Sequence, residues 1–266
     1  MVREGDPVAR YSTYRIGGPA TVLLPAAPQD VAAALTLAHE SGVPWFVVGL
    51  GSNILLPDEG LDALVIRLGK GLDAVRRDGD SWTVGAGLPA PLAARRTAEA
   101  GFAGLHIFVG VPGTVGGGVY MNAGCHGGDW SEVVQRVTVL DAVGRDSVLE
   151  RPEIPFTYRR SGLEGRIVLE ATVRLRPEDQ GKLEEAEAEM FEWRQRGTPF
   201  NQPCCGSVFK NPAGPSWKRE DGSRTAGQLI EHVQQVVRER FGARLEPEVK
   251  LIGSRGEYLN SVNGEQ

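Results

Sequence analysis

The stretch Gly110-Val111-Pro112-Gly113-Thr114-Val115-Gly116-Gly117-Gly118, followed closely by Met121-Asn122-Ala123-Gly124, decides how this chain is read. Glycine costs backbone entropy on folding, so a run this dense marks a place where backbone turns sharply or approaches a ligand closely. Pro112 suits a first helical turn, and the open backbone N–H donors of a helix start favour phosphate oxygens, here a diphosphate. Over the whole chain 35 of 266 residues are glycine, well above the usual share of about 7%. The excess is clustered in 49–60, 104–128 and 206–227.

Upstream, Pro44-Trp45-Phe46-Val47-Val48-Gly49 is an apolar run of strand length and reads as a buried strand. It feeds Leu50-Gly51-Ser52-Asn53, which is either a plain tight turn or a nest of backbone N–H groups that holds an anion. It is not the dinucleotide fingerprint, because the third glycine is absent and no helix-forming segment follows. A strand over 20–24 and a helix over 28–41, with Val31, Leu35 and Leu37-Ala38 as its apolar stripe, complete a first small lobe that closes near Leu68.

A second lobe starts after Gly69-Lys70-Gly71. Strands are expected at 74–77 and 82–85 around the turn Asp78-Gly79-Asp80, a helix at 91–100, and strands at 137–141, 147–150 and 166–175. The last shows period-two alternation through Val168, Glu170 and Thr172. Hairpins dominate here over strand-helix-strand units. The span 178–196 reads as an amphipathic connector helix with Leu183, Ala186, Met190 and Trp193 on one stripe. A Pro- and Gly-punctuated region (197–215), a helix over 226–240, a strand over 248–252 and a polar tail, read as disordered after Gly253, complete the chain.

Composition excludes several classes. The net charge of -5 and pI near 5.5 provide no basic footprint for nucleic acid. No apolar run approaches the roughly 20 residues that span a bilayer, and Met1-Val2-Arg3-Glu4-Gly5-Asp6 lacks an apolar signal region, so a cytoplasmic protein without a membrane partner is expected. The three cysteines form neither a secreted framework nor a spaced ligand set and read as reduced thiols. The four histidines show no ligand spacing, so no metal is expected. Nothing in the sequence calls for an obligate protein partner.

Three further motifs are individually weak. Gly206-Ser207-Val208-Phe209-Lys210-Asn211-Pro212 presents a serine beside polar neighbours, but a hydroxyl donates a proton only to a strongly basic centre with support for the alkoxide. No Gly-x-Ser-x-Gly elbow is present, which argues against a hydrolase serine. Phe156-Thr157-Tyr158-Arg159-Arg160-Ser161 and Leu245-Glu246-Pro247-Glu248-Val249 offer an arginine fork and a carboxylate, which could hold a substrate carboxylate and steady developing charge. Taken singly, such groups are more often surface ion pairs.

Together and in order, these motifs, with Ser12-Thr13-Tyr14-Arg15-Ile16-Gly17-Gly18-Pro19-Ala20, resemble those of the UDP-N-acetylenolpyruvoylglucosamine reductases from about Tyr11 to Gly253. The resemblance implies an α+β protein: a two-lobed FAD-binding fold of the vanillyl-alcohol oxidase type plus a small α/β substrate lobe. Its divisions would be 1–68 and 69–199 for FAD, the latter with the connector helix, and 200–266 for substrate and a C-terminal catalytic strand. It implies that Gly49, Gly51, Ser52 and Asn53, with Gly110, Pro112, Gly113, Thr114, Gly116, Gly117, Asn122, Ala123 and Gly124, cradle FAD, with Val168 near the flavin ring.

It also implies reduction of FAD by NADPH and hydride delivery to the enolpyruvyl carbon of UDP-N-acetylglucosamine enolpyruvate, a small-molecule sugar nucleotide. Ser207 would protonate the adjacent carbon, Arg159 and Glu248 would stabilise the enolate-like intermediate, and Tyr158, Arg194 and Asn211 would bind substrate. No tyrosine-bearing insertion lies between Val168 and Glu178, as in the shorter subtype, whose pocket is more open. The chain departs from the family pattern after Ala226-Gly227-Gln228-Leu229-Ile230-Glu231, where His232-Val233-Gln234-Gln235 leads straight into the last helix. A lobe with so little strand buries no core of its own, so a segment is expected to be missing near 232.

Two rivals accompany this reading. An alcohol or sugar oxidase would use the same fold with another substrate lobe, which the Ser207 motif disfavours. A sugar-nucleotide binding protein without redox activity would hold the diphosphate directly in the glycine loops and be colourless.

Overall fold

The computed structural model describes residues 1–198, 202–204, 207, 210, 238–240, 242 and 248–258. The first lobe contains β1 (Val2–Pro7), β2 (Pro19–Leu23), α1 (Pro28–Glu40), β3 (Trp45–Val48), β4 (Ile54–Leu55) and β5 (Leu64–Arg67). Its sheet runs β1-β2-β5-β3, with β5 parallel to both neighbours and β1 antiparallel at the edge. β5 was not anticipated from sequence, yet its Val65 and Ile66 are almost fully buried at the centre of this sheet. Pro28 starts α1, and the Asp30 carboxylate accepts from the Ala26 and Ala27 N–H groups, supporting the helix entry.

The second lobe follows with β6 (Val75–Asp78), β7 (Ser81–Gly85), α2 (Ala90–Glu99), β8 (Phe102–Ala103), α3 (Val115–Tyr120), β9 (Gly124–Cys125), β10 (Gly128–Asp129), β11 (Val134–Leu140), β12 (Asp146–Glu150), β13 (Ile167–Arg174) and β14 (Arg176–Pro177). The sheet β12-β11-β13-β7-β6 is antiparallel throughout and contains the expected hairpins β6–β7 and β11–β12. α4 (Gln180–Gly197) crosses behind α2, and β8 pairs with β14.

The expected alternation of β13 is not observed. Six of its eight residues are buried, from both faces, because α3 covers one side of the sheet and the core the other. The stripe on α4 is likewise shallower than read: Leu183 is buried, whereas Trp193 is 55% exposed. One apolar cluster runs from Val31 and Leu35 of α1 through Ile66 and Leu68 to Val137 and Val173, so the two lobes share a core. The opposite face of the first sheet packs separately around Val22, Phe46, Val65 and Ile252.

That last residue shows where the C-terminal segment goes. β15 (Lys250–Leu251) lies parallel to β4, adding to the first lobe. The tail read as disordered after Gly253 is a folded turn through Tyr258: Gly253 N–H donates to the Glu257 carbonyl, and Ile252 bridges Tyr258. The helix expected over 226–240 and the junction near 232 lie outside the described residues, apart from helical 238–240.

Candidate active site

The loop after β3 and the segment before α3 face each other across a cleft. Ser52 Oγ donates to the Pro112 carbonyl at 2.9 Å and ties the two together. Gly51 has φ +60°, and a Cβ there would collide with the Tyr11 carbonyl, so only glycine lets this turn fit. A side chain at Gly49 would strike Thr114 Oγ1. The cleft of about 210 Å³ is lined by Gly49, Gly51, Ser52, Asn53, Pro112, Gly113, Thr114, Gly117, Ala123 and Gly124 among others. A second compartment of about 260 Å³ shares Gly49, Thr114 and Gly117 with it and adds Gly116 and Val168.

Of the two anion sites read from the sequence, the helix start differs from its reading. α3 begins at Val115, not at Pro112, and Thr114 caps it through Oγ1, which accepts the Gly117 N–H at 3.3 Å. Val115 and Gly116 N–H groups donate to the carbonyls of Leu88 and Ala86, so the start of α3 is already satisfied. The N–H groups of Leu50, Gly51 and Ser52 donate no hydrogen bond among the described residues. The nest reading of that loop therefore fits better than the plain turn.

Two expected cofactor residues do other work. Gly110 lies against the Arg194 side chain of α4 and lines neither compartment. Asn122 is buried with φ +43°; its Nδ2 donates to the Thr157 carbonyl at 3.0 Å and to Asp129 Oδ2 at 3.2 Å, and its Oδ1 accepts from the Ser131 N–H at 3.0 Å. It holds the turn that carries Arg159.

Arg159 sits in that turn with φ +60°, a strained conformation for a residue with a Cβ. Its Nε donates to Glu248 Oε1 at 2.9 Å, and another guanidinium nitrogen donates to the Gly124 carbonyl at 3.2 Å. The side chains are only 17% and 16% exposed, so this is no surface ion pair. Burial pushes the Glu248 carboxyl above its ordinary range, partly offset by Arg159, Lys210 and Arg194. Asn53 Nδ2 donates to the Glu248 carbonyl, linking the nest to the segment that leads into β15.

Ser207 and Arg194 line the same cleft, and Arg194 Nε is buried without a hydrogen-bond partner among the described residues. Tyr158 is half exposed, with the Arg159 guanidinium over its ring, and does not line the cleft. Asn211 lies outside the described residues. Sequence reasoning missed Lys250, which lines the cleft two residues beyond Glu248; the period of two along a strand could have found it. It also missed Tyr120 and Tyr258, for which no local signal existed.

A cleft with a glycine cradle, free backbone donors and Arg159, Arg194 and Lys250 along its wall suits an anionic, diphosphate-bearing cofactor and an anionic substrate. The described residues contain no cluster of metal-ligating side chains and no helix long and apolar enough to cross a membrane.

Comparison with known proteins agrees. Residues 19–147 match the family model described as an FAD binding domain. The chain is 38% identical over 281 residues to the UDP-N-acetylenolpyruvoylglucosamine reductase of Rubrobacter xylanophilus, covering 93% of this chain and 94% of that one. It is 33% identical over 285 residues to that of Bacillus subtilis, covering 95% and 94%. That alignment is longer than the 266-residue chain, so the relative has positions without a counterpart here.

Among solved structures, the UDP-N-acetylenolpyruvylglucosamine reductase of Thermus caldophilus superposes with a TM-score of 0.76 at 28% identity, covering 94% of this chain and 99% of that one. The 6-hydroxy-D-nicotine oxidase of Arthrobacter nicotinovorans, at a TM-score of 0.53 and 20% identity over 66% of this chain and 42% of its own, shares the fold alone. The fold is thus the α+β FAD-binding type expected, and the chain belongs to the UDP-N-acetylenolpyruvoylglucosamine reductase family.

Proposed function

We propose that this protein reduces UDP-N-acetylglucosamine enolpyruvate to UDP-N-acetylmuramate for peptidoglycan precursor synthesis, with NADPH as reductant. The observation that carries this is the buried Arg159–Glu248 pair facing the same cleft as Ser207 and the glycine cradle. Bound FAD supplies the hydride relay between NADPH and the enolpyruvyl CH2 carbon.

The chain's residues do the rest. The nest Leu50 to Ser52, Gly49 and Asn53, with Pro112, Gly113, Thr114 and Gly117 across the cleft, would hold the cofactor's diphosphate, and Ala123, Gly124, Gly116 and Val168 would line the space for its ring. Arg194, Tyr158 and Asn211 hold the anionic substrate. Hydride addition to the CH2 carbon places negative charge on the adjacent carbon and its carboxylate; Arg159, steadied by Glu248, opposes that charge. Ser207 donates its proton to the adjacent carbon, which completes the saturated product. In this reading residues 1–68 and 69–199 form the FAD lobes, 250–258 add to the first of them rather than to a substrate lobe, and the rest of 200–266 serves the substrate in the cytoplasm, without nucleic-acid, membrane or obligate protein partners.

The test is Ser207→Ala in FAD-loaded protein. NADPH should bleach the flavin at the normal rate while the sugar nucleotide fails to restore its colour. Loss of both half-reactions in the loaded variant contradicts the role given to Ser207.

A further inference from the structure

The segment Ser12-Thr13-Tyr14 lies against the nest loop and lines neither compartment of the cleft. It grips one carbonyl of that loop. Gly51 accepts from the Thr13 N–H at 3.3 Å, from Ser12 Oγ at 3.4 Å and from Thr13 Oγ1 at 3.5 Å. Ser12 Oγ in turn accepts the Tyr14 N–H at 3.2 Å, which leaves its own proton for Gly51. The gripping segment is itself fixed. Ser12 is buried, the Arg15 N–H donates to its carbonyl at 3.1 Å, and the Val8 and Ala9 N–H groups tie the preceding turn to the carbonyls of Gly18 and Gly17. The Tyr11 hydroxyl donates to the buried Asp6 carboxylate, which also accepts from Arg10 at 3.0 Å.

We infer that Ser12 and Thr13 are positioning residues for the cofactor's diphosphate: by holding the Gly51 carbonyl they turn the Ser52 N–H toward the anion. The inference rests on the FAD reading above and deepens it. The Gly51–Ser52 peptide is trans, so its N–H points away from its carbonyl. With the carbonyl held on the side of Ser12 and Thr13, the Ser52 N–H is turned to the opposite side, toward the cleft that Gly51 and Ser52 line. That N–H donates no hydrogen bond among the described residues, and the Ser52 side chain is pinned to the Pro112 carbonyl at 2.9 Å. Glycine leaves this peptide unit free to turn its carbonyl toward the cleft unless it is held, and an acceptor there would repel phosphate oxygens.

The experiment follows FAD-loaded protein in two ways: the rate of FAD release on dilution, read from flavin fluorescence, and the phosphorus NMR resonances of the bound diphosphate. Ser12→Ala should speed release about 5-fold and Thr13→Val about 2-fold, whereas Thr13→Ser, which keeps the hydroxyl, should release at the wild-type rate. In the two faster variants the phosphorus resonances of FAD still bound should move, because a donor to the phosphate has turned. Thr13→Val is close to isosteric and decides the question if Ser12→Ala does not fold. Wild-type release in both variants overturns the inference. Faster release with unmoved phosphorus resonances also overturns it, since a merely structural role would give that result. A wild-type protein that takes up no FAD instead overturns the function proposed above.

Discussion

Arg159 and Glu248 are 89 residues apart in sequence and 2.9 Å apart at the wall of the cleft. Arg159 arrives on a turn with left-handed backbone, and Glu248 arrives just before a strand that pairs with β4. Neither side chain reaches water freely, and in the function proposed above the pair supplies a fixed positive charge and a partner that orients it.

Replacing Arg159 by Lys keeps the charge but loses the fork that spans Glu248 and the Gly124 carbonyl. Reoxidation of reduced flavin by the sugar nucleotide should slow by about 100-fold or more, with bleaching by NADPH little changed. Stopped-flow absorbance of the two half-reactions checks this.

Asn122→Ala removes a buried amide that satisfies the Thr157 carbonyl, the Ser131 N–H and Asp129. Stability should fall by about 1–3 kcal/mol, because those groups lose their partner inside the protein. Since the turn bearing Arg159 loosens, substrate reduction should fall in the folded fraction while FAD content is retained; denaturant unfolding and flavin absorbance check both.

Gly51→Ala places a Cβ against the Tyr11 carbonyl at a position with φ +60°. The nest must open to accommodate it, so FAD affinity should fall at least about 10-fold. Equilibrium titration with FAD checks this, and Gly79→Ala is the matching control, because a Cβ there meets open space at a similar φ of +57°.

Glu187 on α4 has a buried carboxyl oxygen without a hydrogen bond among the described residues. Burial raises its pKa from 4.5 to about 7, with Arg95 opposing and Glu99 and Glu184 reinforcing the rise. The folded state thus binds more protons than the unfolded state between these values, so this group costs stability as pH rises through that window. The cost is absent below about 4.5 and complete above about 7. Glu187→Gln should raise the thermal midpoint by a few degrees at pH 8 and leave it unchanged at pH 4; thermal melts at the two pH values check this.

Much of this site is legible in the chain because special backbone leaves a local trace. Gly49, Gly51 and Gly113 announce turns that other residues resist, and Gly79 announces the β6–β7 hairpin. What stayed hidden depends on distant packing. β13 reads as alternating because Glu170 and Thr172 are polar, yet Thr172 is buried beside Thr83, their hydroxyls 3.1 Å apart, and Glu170 pairs with Arg76. The satisfied start of α3 follows from its contact with Leu88 and Ala86, which no local motif encodes. The ordering of the polar tail through Tyr258 depends on Phe46 and Asp62, both far away in sequence.

In the proposed reaction one cleft carries FAD between NADPH and an enolpyruvyl sugar nucleotide. The most direct measurement is the visible absorption spectrum of the purified protein, recorded without air before and after NADPH and then after UDP-N-acetylglucosamine enolpyruvate. Flavin bands should be present, bleach with NADPH and return with the sugar nucleotide. A colourless protein that takes up no added FAD, or bands that bleach and fail to return, would contradict the account.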